Sequence, residues 1–419
     1  MTRLDAVREH LMTVDVRDKN WSAALAAAQQ RGPEVNLDLA EMSTPVFTLD
    51  LAALEHNITT MRDWVAAHGA FLAPHGKTTM CPALWRWQLD QGCWAITVAN
   101  EPQLRVARSA GIPRVVVANE FLSPQGLSWL AGELNADPAF EVITWVDSVA
   151  GVEAMTRMLT AAGARRPLPV CLEVGHPKAR AGVRDHDDAL TIARAVIDSP
   201  RLQLRGVAGY EGSVPGEREQ RITGVRAFLT AMGQLFAEIS PLVESDEALI
   251  TAGGSALFDL VVEILGPVAT GTPRARLLLR SGAYVVHDDG TYALSTPSAN
   301  RSGPVFTAAA NVWARVISNP EADLVLLDVG KRDIPYDAGL PVVQKVMRAG
   351  RLVDAPAAEV FATNDQHAYV RLAEPESLAV GEVVRLGLSH PCTMFDKWRS
   401  ALLVEGARPR VRGALPTFF

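Results

Sequence analysis

The chain of 419 residues is 48% hydrophobic and 21% charged, an ordinary globular composition that argues against extensive disorder and allows a large core. Its formal net charge of -7 supplies no basic surface for a phosphate backbone, so we expect no nucleic-acid partner. Residues 1–20 lack the apolar core of a signal peptide, and no apolar run approaches the length of a membrane span. The four cysteines are too few for a disulfide framework in a chain of this size. We therefore expect a cytoplasmic protein without membrane contact.

From residue 45 onwards, short apolar runs rich in β-branched residues alternate with longer segments of helical period. When the first run is set aside, about eight strand–helix units follow one another, which is the pattern of a (β/α)8 TIM barrel. An open doubly wound sheet gives the same alternation, but no glycine-rich dinucleotide fingerprint accompanies it, so we favour the closed barrel. The predicted strands are 45–49, 70–73, 94–99, 114–118, 140–146, 168–174, 204–210, 248–252 and 276–280.

After about residue 300 the long helical patterns end, and short alternating strands separated by glycine and proline follow. These predicted strands are 312–317, 324–328, 359–363, 368–372 and 382–388. We therefore predict an α/β chain with three parts: a helical extension at 1–43, a barrel at 44–300 and an all-β domain at 301–419.

The first barrel strand runs into His75-Gly76-Lys77, at the end of the barrel where the βα loops build active sites. Lysine is scarce, with six residues in the chain, and arginine cannot replace it in a Schiff base because guanidinium keeps its proton. A lysine at this position could be a buried amine with a lowered pKa, as Schiff-base chemistry requires. A solvated loop lysine is the alternative for any lysine considered alone.

Small residues follow the last two predicted barrel strands, in Gly253-Gly254-Ser255 and at Gly282. Such turns expose backbone N–H groups that bind phosphate, and barrels commonly place a phosphate site after the seventh and eighth strands. Tight turns need glycine in any case, so the position of these clusters indicates the phosphate site more strongly than their composition does.

His390 and Cys392 lie one residue apart at the end of a predicted strand of the β domain, where both can reach one soft divalent ion. Two protein ligands leave open positions for water and substrate. A buried cysteine beside a structural histidine is the alternative, and no CxxC or HExxH pattern elsewhere in the chain adds further ligands.

These motifs together resemble the fold-type III pyridoxal-phosphate (PLP) enzymes, and within them the D-serine dehydratase and D-threonine aldolase branch. The resemblance extends from about residue 43 to about residue 398 and implies an alanine-racemase-like barrel with a C-terminal β domain, in a homodimer. It is carried by TPVFTLD at 44–50, PHGKT at 74–78, RAGV at 180–183, GYEG at 209–212, TAGG at 251–254 and HPC at 390–392.

By position, the resemblance implies that Lys77 forms the Schiff base with PLP, that Arg180 contacts the phenolic oxygen of the cofactor and that Tyr210 contacts its pyridine ring. His390 and Cys392 would bind zinc beside the β-hydroxyl of the substrate. The phosphate would be held by Gly253, Gly254, Ser255, Gly282 and Tyr284.

The resemblance further implies a lyase that acts on D-configured β-hydroxy amino acids. Lys77 would remove the α-proton and zinc would stabilise charge on the β-oxygen, so that β-elimination yields a keto acid and ammonia. The same groups can cleave the Cα–Cβ bond, but family aldolases usually show H-x-D where this chain has His390-Pro391-Cys392, and thiolate prefers zinc. We therefore predict a zinc-dependent D-serine dehydratase (deaminase)-like enzyme, with a D-threonine aldolase as the alternative.

Two other interpretations stay open at this point. An amino-acid racemase would need a second base, for which Tyr292, Tyr336 and Tyr369 are available, but it has no use for a metal ion. A non-catalytic cofactor carrier would resemble the barrel alone, which leaves the β domain unexplained. His75, before the lysine, is a further candidate for cofactor contact, because it could orient the lysine or pack beneath the cofactor.

Overall fold

The structure, a computed structural model, describes residues 3–348 and 350–419. Contacts between residues divide the described chain into two compact units. The barrel unit comprises Arg62–Lys77 and Gln88–Gly282, and the β unit comprises the described residues up to Met61, Thr78–Trp87 and Ala283–Phe419. Each unit is therefore assembled from segments that are not continuous in sequence.

The strands of the described chain are β1 Leu37–Asp38, β2 Val46–Asp50, β3 Phe71–Leu72, β4 Ile96–Val98, β5 Arg114–Glu120, β6 Glu141–Val146, β7 Leu168–Val174, β8 Leu202–Gly209, β9 Ala248–Ala252, β10 Ala275–Leu279, β11 Ala310–Glu321, β12 Leu324–Leu327, β13 Val342–Arg348, β14 Arg351–Asp354, β15 Ala358–Thr363, β16 Ala368–Leu372, β17 Val383–Gly387, β18 Ser400–Glu405 and β19 Arg410–Pro416. The α-helices are α1 Ala23–Ala28, α2 Leu51–Ala67, α3 Pro82–Asp90, α4 Glu101–Ser109, α5 Pro124–Ala136, α6 Val149–Ala161, α7 His186–Ile197, α8 Arg218–Ile239, α9 Phe258–Gly271, α10 Thr291–Ser295 and α11 Pro297–Asn300.

Within the described residues, β3–β10 form an eight-stranded parallel sheet in the order β3-β10-β9-β8-β7-β6-β5-β4. A parallel bridge between His75 and Thr97 joins its two ends, and the Thr97 N–H donates to the Pro74 carbonyl at 2.9 Å, so the sheet closes on itself. The predicted (β/α)8 barrel is therefore confirmed, and the open doubly wound alternative is wrong.

The barrel strands are buried runs, as parallel strands covered by helices require, and every residue of β9 is buried. Capping side chains start the intervening helices: Ser123, Ser148 and Asp185 accept N–H groups at the beginning of α5, α6 and α7. Side chains alternate along a strand, so a residue two positions beyond an interior residue faces the same interior. The interior core contains Ala73, Ala95, Val116, Ile143, Trp145, Cys171, Ala208, Leu249 and Leu278.

The described part of the β unit is built on an eleven-stranded mixed sheet. Strand β2 pairs antiparallel with β11 and parallel with β18, so the first predicted strand, 45–49, lies in this sheet and outside the barrel. The strands predicted after residue 300 are confirmed as β11, β12, β15, β16 and β17. The sequence analysis did not predict β13, β14, β18 or β19; only β14 is largely exposed, which weakens its apolar alternation.

Before β2, the described chain contains one α-helix, α1, together with three 3-10 turns and β1, which pairs with β19. This segment is less helical than the sequence suggests, and much of its order comes from contacts with the rest of the β unit. The Lys19 Nζ donates to the buried Asp333 carboxylate at 2.9 Å and lies over the Trp398 ring. None of the helices that the structure describes is long and apolar enough to cross a membrane.

Candidate active site

A polar layer closes the interior of the barrel at the carboxyl ends of its strands. His75, Glu173, Tyr210 and Arg280 each lie two residues beyond an interior core residue of their strand. Strand periodicity therefore accounts for their meeting at this end of the barrel, where βα loops build active sites. We call these residues, with Glu120 at the end of β5, the mouth layer.

Lys77 lies on the 3-10 turn Gly76–Thr78 that follows β3. Its side chain is exposed, which agrees with the solvated lysine rather than the buried amine of the two alternatives that the sequence left open. The Lys77 N–H approaches His75 Nδ1 at 3.5 Å. Burial of the His75 ring, together with the charges of Lys77 and Arg280, lowers the pKa of His75 well below 6.5. The imidazole is therefore neutral at neutral pH.

Two carboxyl groups, Glu120 and Glu173, meet in the mouth layer. Burial and the contact with Glu120 raise the pKa of Glu173 from 4.5 to about 8. Oε1 of Glu120 is buried and finds no hydrogen-bond donor among the described residues. Two carboxyl groups form a hydrogen bond only when one is protonated, so the pair shares a proton at neutral pH. The sequence analysis did not single out this pair, which comes from the alternate strands β5 and β7.

Arg280 provides the buried positive charge of the mouth layer. Its guanidinium donates to the Thr251 hydroxyl at 2.6 Å and to the Gly209 carbonyl at 2.7 Å. Burial lowers the pKa of Arg280, while the nearby Glu211 and Glu173 raise it. Nothing in the sequence distinguishes Arg280 from a solvated arginine at a strand end.

The motif Tyr210-Glu211 places two polar side chains against the βα loop that follows β9. The Arg180 guanidinium lies over the Tyr210 ring, 5.0 Å from its centroid. Burial raises the pKa of the Tyr210 phenol. The fully buried Glu211 carboxylate accepts the N–H groups of Gly253 and Gly254 at 2.9 and 2.7 Å. The two amides that the sequence predicts for phosphate therefore bind a carboxylate in this structure.

The remaining predicted phosphate residues lie in different surroundings. Ser255 begins the turn that leads into α9. A Cβ on Gly282 would lie 2.2 Å from the His75 carbonyl, so only glycine permits this close approach within the barrel unit. Tyr284 belongs to the β unit, where it is buried and lies 5.7 Å from the Phe306 ring.

The β unit contains a second polar cluster, around His390 and Cys392 on the segment that follows β17. The imidazole hydrogen-bonds to the Cys392 sulfur, and its Nδ1 lies 2.8 Å from Asp337 Oδ2. These contacts raise the pKa of His390 to about 9. Burial raises the pKa of the Cys392 thiol, but hydrogen bonds from His390 and Thr78 outweigh it, so that the pKa is lowered from 9.0. The two side chains therefore favour each other's charged forms, the thiolate and the imidazolium.

Three further side chains fix this cluster. Thr78, the residue after Lys77, places its hydroxyl 3.4 Å from Cys392 Sγ. The Tyr292 hydroxyl lies 3.9 Å from the same sulfur. Asp288 holds Tyr292 in place, because its carboxylate accepts the N–H group of that residue at 2.8 Å. The sequence offered Tyr292 as a candidate base, whereas Thr78 carried no signal of its own.

The donor chemistry at His390 and Cys392 fits a zinc ion, for which thiolate and imidazole are preferred ligands. Metal-binding histidines commonly donate their other ring nitrogen to a carboxylate, which is the position of Asp337. In the described part of the chain, no group of three or more His, Cys, Asp or Glu side chains could hold a metal ion. Water or substrate would have to complete the coordination.

Comparison with known proteins supplies the identification. The chain is 30% identical to D-threonine aldolase of Arthrobacter sp. over 366 residues, which are 85% of this chain and 88% of the relative. The chain belongs to the D-serine dehydratase and D-threonine aldolase family. It is accordingly a PLP-dependent lyase with the fold-type III architecture. A family model for the alanine racemase N-terminal domain matches residues 49–252, and one described as a serine dehydratase domain matches residues 309–404.

Other members of the family agree in sequence and in fold. The D-threo-3-hydroxyaspartate dehydratase of Delftia sp. (strain HT23) is 24% identical over 391 residues, covering 88% of this chain and 96% of the relative. The crystal structure of D-threonine aldolase from Filomicrobium marinum superimposes with a TM-score of 0.76 at 25% identity, covering 91% of this chain and 97% of that one. The predicted alanine-racemase-like architecture is confirmed by these likenesses.

In this family member, the structure distributes the predicted residues between its two units. His75, Lys77, Arg180, Tyr210 and the glycine turns belong to the barrel unit. The His390 and Cys392 pair belongs to the β unit. The structure adds three acidic residues to the predicted site residues: Asp337, Glu120 and Glu173. Only spatial proximity reveals them, since their partners are distant in sequence.

Proposed function

We propose that this lyase is a zinc-dependent dehydratase of D-configured β-hydroxy amino acids that releases a keto acid and ammonia. The observation that carries the proposal is the hydrogen-bonded pair of Cys392 and His390, with Asp337 on the other ring nitrogen of the histidine. The family members named above support the substrate class, because D-threonine and D-threo-3-hydroxyaspartate are both D-configured β-hydroxy amino acids.

The residues of the barrel unit fit PLP. Lys77 provides the amine that would hold it covalently, the Arg180 guanidinium and the Tyr210 phenol are donors at one end of the barrel, and His75 is a neutral imidazole. When bound, PLP supplies an electron sink for negative charge at Cα. Because Glu211 already occupies the amides of Gly253 and Gly254, the phosphate must exchange with that carboxylate or rely on other predicted donors.

Lys77 Nζ is the group that we expect to remove the α-proton of the substrate. Its exposed position at the mouth of the barrel leaves it accessible to a substrate that enters from solvent. The neutral His75 imidazole, two residues before it, does not compete as a cationic acid at neutral pH. Lys77 therefore combines covalent attachment with proton transfer.

His390 and Cys392 would hold zinc, which supplies a Lewis acid for the β-oxygen that leaves. A metal-bound imidazole must be neutral, and a metal-bound cysteine must be a thiolate. The lowered pKa of Cys392 favours this form, whereas the proton on His390 must be released when the ion binds. Asp337 then fixes the orientation of the ring through Nδ1. Within the β unit, the Thr78 hydroxyl also contacts Cys392.

Cleavage of the Cα–Cβ bond is the second candidate, because the 30% identical relative is a D-threonine aldolase. The two reactions start from the same substrate and differ in their products. D-threonine gives 2-oxobutanoate and ammonia by elimination, and glycine and acetaldehyde by retro-aldol cleavage. The Cys392 ligand favours elimination in our proposal because thiolate selects zinc over the harder ions that carboxylate ligands prefer.

Product analysis with D-threonine and D-serine, with and without a chelator, tests the proposal. We expect keto acid and ammonia that disappear with the chelator and return with zinc. Glycine and acetaldehyde would make the enzyme an aldolase, and a change of configuration without either product would make it a racemase. Lys77→Ala should abolish the visible absorbance of lysine-bound PLP, and Lys345→Ala is the matched control, since Lys345 pairs with Asp354 on the exposed sheet edge.

We also propose that the enzyme acts as a cytoplasmic homodimer, as the sequence suggests. Light scattering at several protein concentrations and cell fractionation would test these two statements. A monomer under assay conditions would remove the homodimer from the proposal without affecting the chemistry.

A further inference from the structure

The β unit contains a cavity of 540 Å³ on one face of its mixed sheet, which we call the sheet cavity. Arg385 on β17 lies between its register partners Trp313 on β11 and Lys345 on β13, and all three line the cavity. Register partners face the same side of a sheet, so these side chains share one face. Asp50, at the end of β2, lines the same cavity from the other side of β11.

Arg385 is a half-buried cation without a direct partner. Its Nε is buried and finds no acceptor, and no group of the described residues forms an ion pair or a hydrogen bond with its guanidinium. Burial lowers the pKa of Arg385, while the charges of Asp289, Asp50 and Asp354 raise it from beyond ion-pair distance. A guanidinium that loses water without gaining an acceptor costs free energy, which an acceptor on a ligand would recover.

The other charged residues of the lining are paired, with one exception. The pairs are Arg3 with Glu55 and Glu405, and Lys345 with Asp354. Asp50 is the exception: its Oδ1 accepts the Ala53 N–H at 2.9 Å, and no cation of the part of the chain that the structure describes forms an ion pair with its carboxylate. The sheet cavity therefore offers a ligand one cation, Arg385, and one anion, Asp50.

These two charges lie near each other but do not meet. Asp50 is close enough to raise the pKa of Arg385, yet strand β11 separates the strands that carry them. Trp313 and Asn311 of β11 are 2% and 6% exposed and form the floor between them. The Trp313 ring is fixed, because its Nε1–H donates to the Thr48 hydroxyl at 2.9 Å. The sheet thus holds the two charges apart, and a molecule that carries both opposite charges can bridge them.

Apolar side chains complete the lining. They are Ala52, Leu352, Val404, Ala407 and Pro409. None of the described lining residues belongs to the mouth layer or to the His390 and Cys392 cluster. The sheet cavity is therefore a space with two opposite charges and an apolar wall, and its residues have no part in the proposed reaction.

We propose that the sheet cavity is a binding site for an α-amino acid with an apolar side chain, whose carboxylate binds Arg385 and whose ammonium group binds Asp50. The planar guanidinium matches a carboxylate with two parallel hydrogen bonds, and an ammonium group donates to a carboxylate. The apolar side chain of the ligand would cover the wall at Leu352 and Val404. This site goes beyond the proposed function, because its ligand is bound and not converted.

Calorimetry of the PLP- and zinc-loaded enzyme with the two enantiomers of N-methyl-leucine tests the inference. This probe keeps both charges, but its secondary amine cannot replace Lys77 on the cofactor as a primary amine does. We expect saturable binding of at least one enantiomer without a change in the visible absorbance of PLP. The affinity should be roughly tenfold lower for 4-methylpentanoate, which has the same side chain and carboxylate but no nitrogen, and lower for N-methylglycine, which has no side chain.

Two substitutions assign the binding to the sheet cavity. Arg385→Gln and Asp50→Asn should each weaken the binding of N-methyl-leucine roughly tenfold, whereas Arg385→Lys should keep part of the affinity. Asparagine caps a helix as aspartate does, so Asp50→Asn preserves the start of α2. Arg351→Gln, on the exposed strand β14, is the matched control and should bind as the unmodified enzyme does.

Three results would overturn the inference. One is an unchanged affinity for N-methyl-leucine in both Arg385→Gln and Asp50→Asn. Another is equal binding of 4-methylpentanoate to the unmodified enzyme, which would show that the ammonium group is not recognised and which needs no variant to fold. The third is the absence of binding for both enantiomers, or binding that changes the absorbance of PLP and so takes place at the cofactor.

Discussion

The proton held between Glu120 and Glu173 leads to a prediction of how the free energy of unfolding depends on pH. The pKa of Glu173 is about 8 in the folded chain, above its ordinary value of 4.5. Between these two pH values, the folded state keeps a proton that the unfolded chain has released. Unfolding therefore releases a proton, and the stability of the native state falls as the pH rises through this window.

The magnitude follows from the width of the window. The window between pH 4.5 and about pH 8 is about 3.5 pH units wide. Each unit changes the free energy of unfolding by about 1.36 kcal/mol, so the upper limit of the loss is roughly 5 kcal/mol. Glu173 is only partly buried, and the nearby Arg280 lowers its pKa, so we expect about 2 kcal/mol. Asp147 is a further negative charge near Glu173 and acts in the opposite direction.

Glu173→Gln tests this prediction, because glutamine keeps the shape of the side chain and can donate to Glu120 without titrating. The variant should gain stability over the unmodified chain between pH 5 and pH 9 by about 2 kcal/mol. This difference corresponds to roughly 4–8 °C in Tm for a unit of 150–250 residues. Thermal unfolding of the cofactor-free protein at both pH values is the assay, with the exposed Glu153→Gln as control. Parallel curves of Tm against pH for Glu173→Gln and the unmodified chain would refute a shared proton.

Three further predictions follow from single contacts. Asp337→Asn removes the carboxylate that orients the metal-binding histidine, and we expect zinc affinity to fall by roughly 10–100-fold in a competition titration with a chromogenic chelator, while Tm changes little. Glu211→Ala leaves two buried backbone amides without an acceptor, so we expect the free energy of unfolding, measured by urea denaturation, to fall by about 1–3 kcal/mol. A change below about 0.5 kcal/mol would show that water replaces the carboxylate. Gly282→Ala places a methyl group 2.2 Å from a backbone carbonyl, so we expect at least about 2 kcal/mol of destabilisation; an unchanged Tm would contradict the tight packing of this loop.

Much of the fold could be predicted from the sequence because its information is local. The alternation of apolar runs and helical segments predicts the barrel, and the change of period after residue 300 predicts the β strands that follow. The position of Lys77 after a barrel strand also comes from local pattern, since a strand end in a barrel identifies the active-site end, whereas Arg180 and Tyr210 were assigned by the family resemblance. The spacing of His390 and Cys392 allows both side chains to reach one ion, but it is equally compatible with a buried cysteine beside a structural histidine.

Other features depend on which distant segments meet. Strand β2 precedes the barrel in sequence but pairs with β11 and β18, and its apolar run carries no mark of its partner. The sequence left a buried and a solvated Lys77 open, because exposure depends on the loops that surround a strand end. The sequence also predicts that the glycine amides bind phosphate, but Glu211, more than 40 residues earlier in the chain, accepts both of them.

The sequence by itself therefore determined the architecture and the residue types that the chemistry needs. Only the tertiary structure decided their electrostatics: Asp337 beside His390, and Glu120 against Glu173 across alternate strands. The physical reason is that secondary structure follows from short-range periodicity, whereas a pKa follows from burial and from charges within a few ångströms. Those neighbours are chosen by strand order and register, which no short stretch of the sequence specifies.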